Sequence, residues 1–70
     1  MVNLKKRSMT LAGHSTSIAL EPEFWAVLDQ MAVSRGVTST ALIAELDLNR
    51  GARPLASACR LAALQYAQAR

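Results

Sequence analysis

Few residues in this chain are of the types that support catalysis or metal binding, and those few do not cluster along the sequence. The chain has one histidine, His14, and one cysteine, Cys59, which are too few for a four-ligand zinc site within one chain. It has no nucleophile–base pair, no paired carboxylates and no glycine-rich phosphate loop. The sequence therefore predicts a binding protein and not an enzyme, with no metal and no cofactor.

The charged residues are sorted along the chain. Three consecutive cations, Lys5, Lys6 and Arg7, lie near the start, the acids lie in the middle, and the net charge is +3. Such a run suits a polyanion, and it is equally typical of a chain end that is charged for solubility. Because residues 1–13 show little apolar periodicity, we expect them to form a flexible basic arm.

A short run of alternating side chains, residues 15–20, predicts a β-strand. The two faces carry Thr16, Ile18 and Leu20 on one side and Ser15, Ser17 and Ala19 on the other. A lone strand leaves its backbone groups unpaired, and no second convincing strand is evident, so we expect pairing with a second copy of the chain. A core of 70 residues is also small enough to favour association. This predicts a homodimer with a two-stranded ribbon above four helices.

Three helices are predicted after this strand, each bounded by local signals. They are expected at about residues 22–35, 39–49 and 55–69. Pro22 suits a first helical turn, and Gly36 suits a left-handed cap at the end of that helix. Thr38 is the expected N-cap of the second helix, and Pro54 opens the third. The third helix carries so wide an apolar face that we expect the first two helices or a partner subunit to cover it.

Two residues lie off the regular helical pattern. Trp25 is one position away from the apolar stripe of the first helix, and we expect it to pack against the third helix or a dimer partner. Arg60 interrupts the apolar third helix. It is expected to stay solvated, to pair with Glu45 or Asp47, or to contact a partner.

A longer pattern joins the strand to the helices. It consists of Ile18-Ala19-Leu20-Glu21-Pro22-Glu23-Phe24-Trp25, followed by Leu28, Ala32, Gly36-Val37-Thr38 and Leu42-Ile43. Over residues 14–49 this pattern resembles the ribbon-helix-helix family of small dimeric DNA-binding proteins. Gly13-His14, Thr16-Ser17 and residues 55–60 extend the resemblance to a bacterial subgroup with a third C-terminal helix. The resemblance implies a mostly α homodimer over residues 14–70, with one short strand per chain and an intersubunit antiparallel ribbon.

The resemblance also assigns contacts to DNA. The base-contacting side chains, by position on the outward face of the strand, would be Ser15, Ser17 and Ala19. By the same resemblance, Ser39 and Thr40 at the second helix would contact phosphate. Lys5, Lys6 and Arg7 in the arm are expected to contact phosphate because of their charge. Hydroxyls can donate to or accept from base edges, and an alanine methyl can contact thymine. This face has no arginine for a bidentate contact with guanine.

The function expected from these features is that of a dimeric DNA-binding protein and transcriptional regulator, whose partners are a second copy and double-stranded DNA. One alternative is a protein-interaction module on the same dimer fold, with a protein partner. Another is the antitoxin of a toxin–antitoxin pair, although the C-terminal stretch is helical and not an extended tail. Because no apolar run approaches the roughly 20 residues of a membrane span, and no signal peptide is evident, we expect no membrane association and a cytoplasmic location.

Overall fold

The computed structural model describes residues 3–69, which form two strands followed by three helices. The elements are β1 (Lys5–Leu11), β2 (His14–Leu20), α1 (Pro22–Arg35), α2 (Ser39–Asn49) and α3 (Leu55–Gln68). The predicted strand and all three predicted helices are confirmed at close to their expected bounds. The caps are confirmed as well, since Gly36 is left-handed with φ 69° and the Thr38 hydroxyl accepts a hydrogen bond from the Ala41 N–H.

The strand β1 is the main difference from the sequence prediction. Residues 1–13 were expected to form a flexible arm, but Lys5–Leu11 is a strand that pairs antiparallel with β2. Residues 1 and 2 of that arm lie outside the described residues. Because β2 finds its partner in its own chain, the prediction that it pairs with a second copy is wrong. The ribbon that was predicted between two subunits is a hairpin within one subunit.

A two-residue turn, Ala12-Gly13, joins the two strands. Leu11 and His14 are the pair next to the turn, and φ is 51° at Ala12 and 82° at Gly13. A type I′ turn requires positive φ at both central residues, and its twist matches that of the flanking strands. Glycine adopts this conformation freely, whereas the alanine Cβ meets the following carbonyl oxygen at a cost of roughly 1–2 kcal/mol.

The inner face of the hairpin packs on the helices. Its buried side chains are Leu11, Ile18 and Leu20. They join one apolar core with residues from every helix, namely Trp25, Leu28, Ala32, Leu42, Ile43, Cys59 and Ala63. Burial on this scale is the main stabilising contribution in so small a domain. The core therefore holds the hairpin against the helices, with β1 beside α2 and β2 beside α3.

Two buried residues show how α1 and α3 join the core. Trp25, which was expected beside the stripe of α1, is 2% exposed and belongs to the core. Ala63 of α3 is buried together with Cys59. The helix α3 contacts α1, α2 and β2. The expectation that the first two helices cover its apolar face is therefore confirmed for the buried part of that face.

Candidate nucleic-acid interface

The outer face of the hairpin is the surface that points away from the helices. It is formed by three cross-strand pairs, Lys6–Ala19, Ser8–Ser17 and Thr10–Ser15. Five of these six side chains are exposed, and Ala19 is partly buried. The three residues that were expected to contact bases, Ser15, Ser17 and Ala19, therefore share one face as predicted. The strand β1 adds Lys6, Ser8 and Thr10, which sequence analysis did not place there.

Hydroxyl groups dominate the centre of this outer face. The hydroxyl oxygens of Ser8 and Ser17 lie 3.0 Å apart and share a hydrogen bond across the strands. A hydroxyl has one donor and two acceptor lone pairs. One member of the pair therefore keeps its proton available to a ligand, and both keep acceptor capacity. This gives the face groups that can hydrogen-bond to either donors or acceptors on a nucleic-acid base.

The start of β1 is anchored by Trp25. The Trp25 indole Nε1–H donates to the Lys5 carbonyl oxygen at 2.8 Å. The guanidinium of Arg7 lies over the same indole ring, 4.3 Å from its centroid. A cation so close to an indole face is attracted by the ring quadrupole. Because the Trp25 ring is in the core, these contacts fix the backbone of β1 on both sides of Lys6.

A second anchor joins β1 to α1 and α2. Arg7 donates from Nη1 and Nη2 to the two carboxylate oxygens of Asp29, both at 2.9 Å, and the Ser39 hydroxyl donates to Asp29 Oδ1 at 2.8 Å. Hydrogen bonds from Arg7 hold the pKa of Asp29 below its usual value, and the same bonds raise the pKa of Arg7. Both side chains are about two-fifths exposed, so solvent screens part of this attraction.

The structure separates the three arm cations that were expected to contact phosphate. Lys6 projects from the outer face, opposite Ala19. Arg7 lies on the inner face and is engaged by Asp29 and Trp25. Lys5 lies on the same side as Arg7 but is exposed at the start of the strand. Successive strand residues alternate faces, so one continuous run of charge is divided between two surfaces.

The other expected phosphate contacts lie at the start of α2. Ser39 and Thr40 are the first two residues of that helix, where backbone N–H groups lack helical partners. Thr38 caps one of these groups, that of Ala41. The Ser39 hydroxyl already donates to Asp29. A ligand at this helix end would therefore meet the backbone N–H groups and the Thr40 hydroxyl.

Comparison with known protein families gives a match to the ribbon-helix-helix domain over residues 4–67. This match spans both strands and nearly all of α3. The chain belongs to the ribbon-helix-helix family. Comparison with curated proteins and with solved structures gave no match. The resemblance noted in the sequence is therefore confirmed at the level of the family.

In this ribbon-helix-helix chain, Arg60 links α3 to the junction between β2 and α1 through an ion pair. Arg60 bonds to Glu21 Oε1 at 2.9 Å, and its guanidinium lies 5.7 Å from the centroid of the Phe24 ring. Hydrogen bonds from its own backbone and from Arg60 lower the pKa of Glu21. The predicted pairing of Arg60 with Glu45 or Asp47 is wrong, because Glu45 pairs with Arg35 and Asp47 pairs with Arg50.

Neither the histidine nor the cysteine of the ribbon-helix-helix chain lies in a cluster of ligands. Within residues 3–69, no three side chains among His, Cys, Asp and Glu are grouped to hold a metal ion. Cys59 is fully buried, and burial raises the pKa of its thiol. In the same described residues, no helix is long and apolar enough to cross a membrane.

The sequence did contain a signal for the missed strand of this ribbon-helix-helix chain. Ser8-Met9-Thr10-Leu11 alternates polar and apolar residues, and Ala12-Gly13 separates it from a second alternating run. Two alternating runs that flank a two-residue turn ending in glycine are typical of a hairpin. The three preceding cations masked this pattern, since they lowered the apolar periodicity of the segment.

Proposed function

We propose that this ribbon-helix-helix domain binds double-stranded DNA through the outer face of its hairpin and acts as a transcriptional regulator. The observation that carries the proposal is the chemistry of that face. It presents four hydroxyls, one ammonium group and one methyl group on a scaffold that the inner face and two anchors hold in place. Groups of these kinds bond to base edges and to phosphate oxygens.

The dimensions of the hairpin suit the major groove. Neighbouring strands lie about 4.8 Å apart, and the major groove is about 12 Å wide and admits a two-stranded ribbon. The outer side chains are short except for Lys6, so the strand backbones can approach the base edges closely. Under this proposal Ser15, Ser17 and Ala19 contact bases, joined by Ser8 and Thr10 from β1.

Phosphate contacts would flank the hairpin in this proposal. Lys5 is exposed beside the inner face, and the backbone N–H groups at Ser39 and Thr40 lie at the positive end of the α2 dipole. Arg7 supports the hairpin through its ion pair with Asp29, and we do not expect it to exchange that carboxylate for a phosphate. Lys5, Ser39 and Thr40 thus remain the proposed residues that follow the DNA backbone.

We propose that the domain is a homodimer, on different grounds from the lone strand that the sequence suggested. A two-stranded sheet has two edge strands, and a strand edge offers backbone groups to a second copy. Leu48 is 80% exposed on α2, and Leu64 is 48% exposed on α3. Sedimentation at micromolar concentration tests this, and a folded monomer there would exclude the dimer.

The test of DNA binding is titration of random duplex DNA at several salt concentrations, followed by selection of preferred sites from a random library. Binding through phosphates should weaken as salt rises, with a slope of about 0.9 per phosphate contact on logarithmic axes. Enrichment of a site should follow if the outer face contacts bases. Absence of salt-dependent affinity for any duplex would exclude the proposed function.

The exposed leucines favour one second candidate, a protein-interaction module on the same fold. Apolar side chains such as Leu48 and Leu64 contribute to a docking surface when they are contiguous with half-buried ones. This candidate predicts that substitutions on α2 and α3 abolish binding of the protein partner, while substitutions on the outer face of the hairpin leave that binding unchanged. An antitoxin role is less well supported, since residues 55–68 form a helix that packs on the core through Cys59 and Ala63, not an extended tail.

A further inference from the structure

We infer that Lys6 is a base-contacting residue that recognises guanine from the major groove, an inference that rests on the proposed function. Lys6 is the one cation on the outer face of the hairpin within the described residues. It belongs to the same face as Ser8 and Ser17 and so points where those hydroxyls point. The strand that looked like an arm in the sequence thus supplies the cation that the outer face appeared to lack.

The backbone of Lys6 is held on both sides. The carbonyl of the preceding residue, Lys5, accepts the indole N–H of Trp25 at 2.8 Å. The side chain of the following residue, Arg7, is bound by Asp29 through two hydrogen bonds of 2.9 Å. A residue between two fixed neighbours has little freedom to move its Cα. The side chain of Lys6 therefore extends from a Cα that is held in place, unlike that of a lysine on a disordered arm.

The side chain of Lys6 is itself uncommitted among residues 3–69. No ion pair joins it to an acid of the described chain, whereas four arginines each have one. Its cross-strand neighbour is Ala19, whose methyl group leaves space for the lysine stem to lean across the strand. The ammonium group can therefore reach a ligand above the hairpin without breaking an internal contact.

Guanine is the base whose edge suits this group. In the major groove guanine offers two neighbouring acceptors, N7 and O6, whereas adenine pairs its N7 acceptor with an N6 amino donor. An ammonium group has three donors and no acceptor, so it gains two bonds at guanine and meets a repelling donor at adenine. Phosphate contact by the same lysine would give affinity without base preference.

The experiment compares Lys6→Met with Lys5→Met on the preferred site of the wild-type protein. Each guanine of the site is replaced singly by 7-deazaguanine, which lacks the N7 acceptor. We expect one such replacement to lower the affinity of the wild-type protein for the site about tenfold, since one base contact accounts for a change of this size. The affinity of Lys6→Met should not respond to the same replacement. Lys6→Arg should retain the preference, because arginine makes the same contact.

The control variant removes the neighbouring cation from the other face. Lys5→Met should lower the affinity for all duplexes together, flatten the salt dependence and leave the response to 7-deazaguanine as in wild type. If Lys6→Met behaves in that way too, or if the wild-type protein prefers no guanine, the inference about Lys6 is overturned while DNA binding stands. If the wild-type protein binds no duplex, the proposed function itself fails.

Discussion

Arg7 and Asp29 form a two-pronged ion pair that joins the first strand to the first helix. The two terminal guanidinium nitrogens of Arg7, Nη1 and Nη2, each lie 2.9 Å from one carboxylate oxygen of Asp29. Two parallel charged hydrogen bonds fix the orientation of both side chains as well as their distance. The pair thereby ties β1, which packs beside α2, to α1 as well.

Removing the charge of this pair should destabilise the domain. Asp29→Asn keeps the size of the side chain but loses the ion pair, and we expect the free energy of unfolding in urea to fall by about 1 kcal/mol, because both groups are partly exposed. The matched control is Glu45→Gln, which breaks the more exposed Arg35–Glu45 pair and should cost less than about 0.5 kcal/mol. Equal losses in the two variants would contradict an anchoring role for Asp29.

The difference between wild type and Asp29→Asn should also depend on pH. Because Arg7 lowers the pKa of Asp29 in the folded state, the stabilisation is fully present above the unfolded-state pKa of about 3.9. It is lost as the pH falls through the lower folded-state pKa. Unfolding curves between pH 7 and pH 2 should therefore converge for the two proteins at the acid end. A constant difference over that range would exclude the ion pair as the cause.

Substitution of the turn residue Ala12 should stabilise the domain. Its φ of 51° is costly for alanine, and Asn-Gly is a preferred type I′ turn, so we expect Ala12→Asn to raise the free energy of unfolding by about 0.5–1 kcal/mol. The counterpart is Gly13→Ala. An added Cβ there meets no atom within 4 Å, so its expected loss of about 1 kcal/mol reports backbone strain alone. No gain for Ala12→Asn would argue against the hairpin turn.

The thiol of Cys59 should report whether α3 stays packed. Cys59 is fully buried and the pKa of its thiol is raised, so an aromatic disulfide reagent should label it only as fast as the domain opens. Mild denaturant should accelerate the labelling. A Val33→Cys variant offers a control, since position 33 on α1 is 81% exposed and its thiol should react at once. Immediate labelling of Cys59 in the wild-type protein would show that α3 detaches readily.

The hydroxyl of Ser17 should affect base preference and not stability. Ser17→Ala removes one member of the exposed Ser8–Ser17 pair, so we expect discrimination between preferred and random sites to fall by about 1 kcal/mol. The salt slope should not change, because no cation is lost. Ser34→Ala, on the exposed side of α1, is the control and should bind as wild type does. Unaltered discrimination in Ser17→Ala would remove Ser17 from the proposed base contacts.

The sequence by itself determined the helices, the second strand and the family. Pro22, Gly36, Thr38 and Pro54 act through their own backbone geometry and the nearest peptide groups, so their effects can be inferred from a few neighbouring residues. The alternation in β2 likewise identified the outward positions Ser15, Ser17 and Ala19 without knowledge of their partner. Local signals of this kind were sufficient to place three of the six residues on the candidate DNA-binding face.

Only the tertiary structure decided what the basic segment does. Arg7 meets an acid 22 positions away, and Arg60 meets one 39 positions away, so no local pattern could identify these partners. A run of cations is typical of a disordered arm when considered alone, because its charges repel and it buries little apolar area. Once β2, Trp25 and Asp29 are close, the same residues gain a ladder of hydrogen bonds, an aromatic face and a carboxylate. Those long-range contacts offset the entropy of ordering the segment and make it a strand.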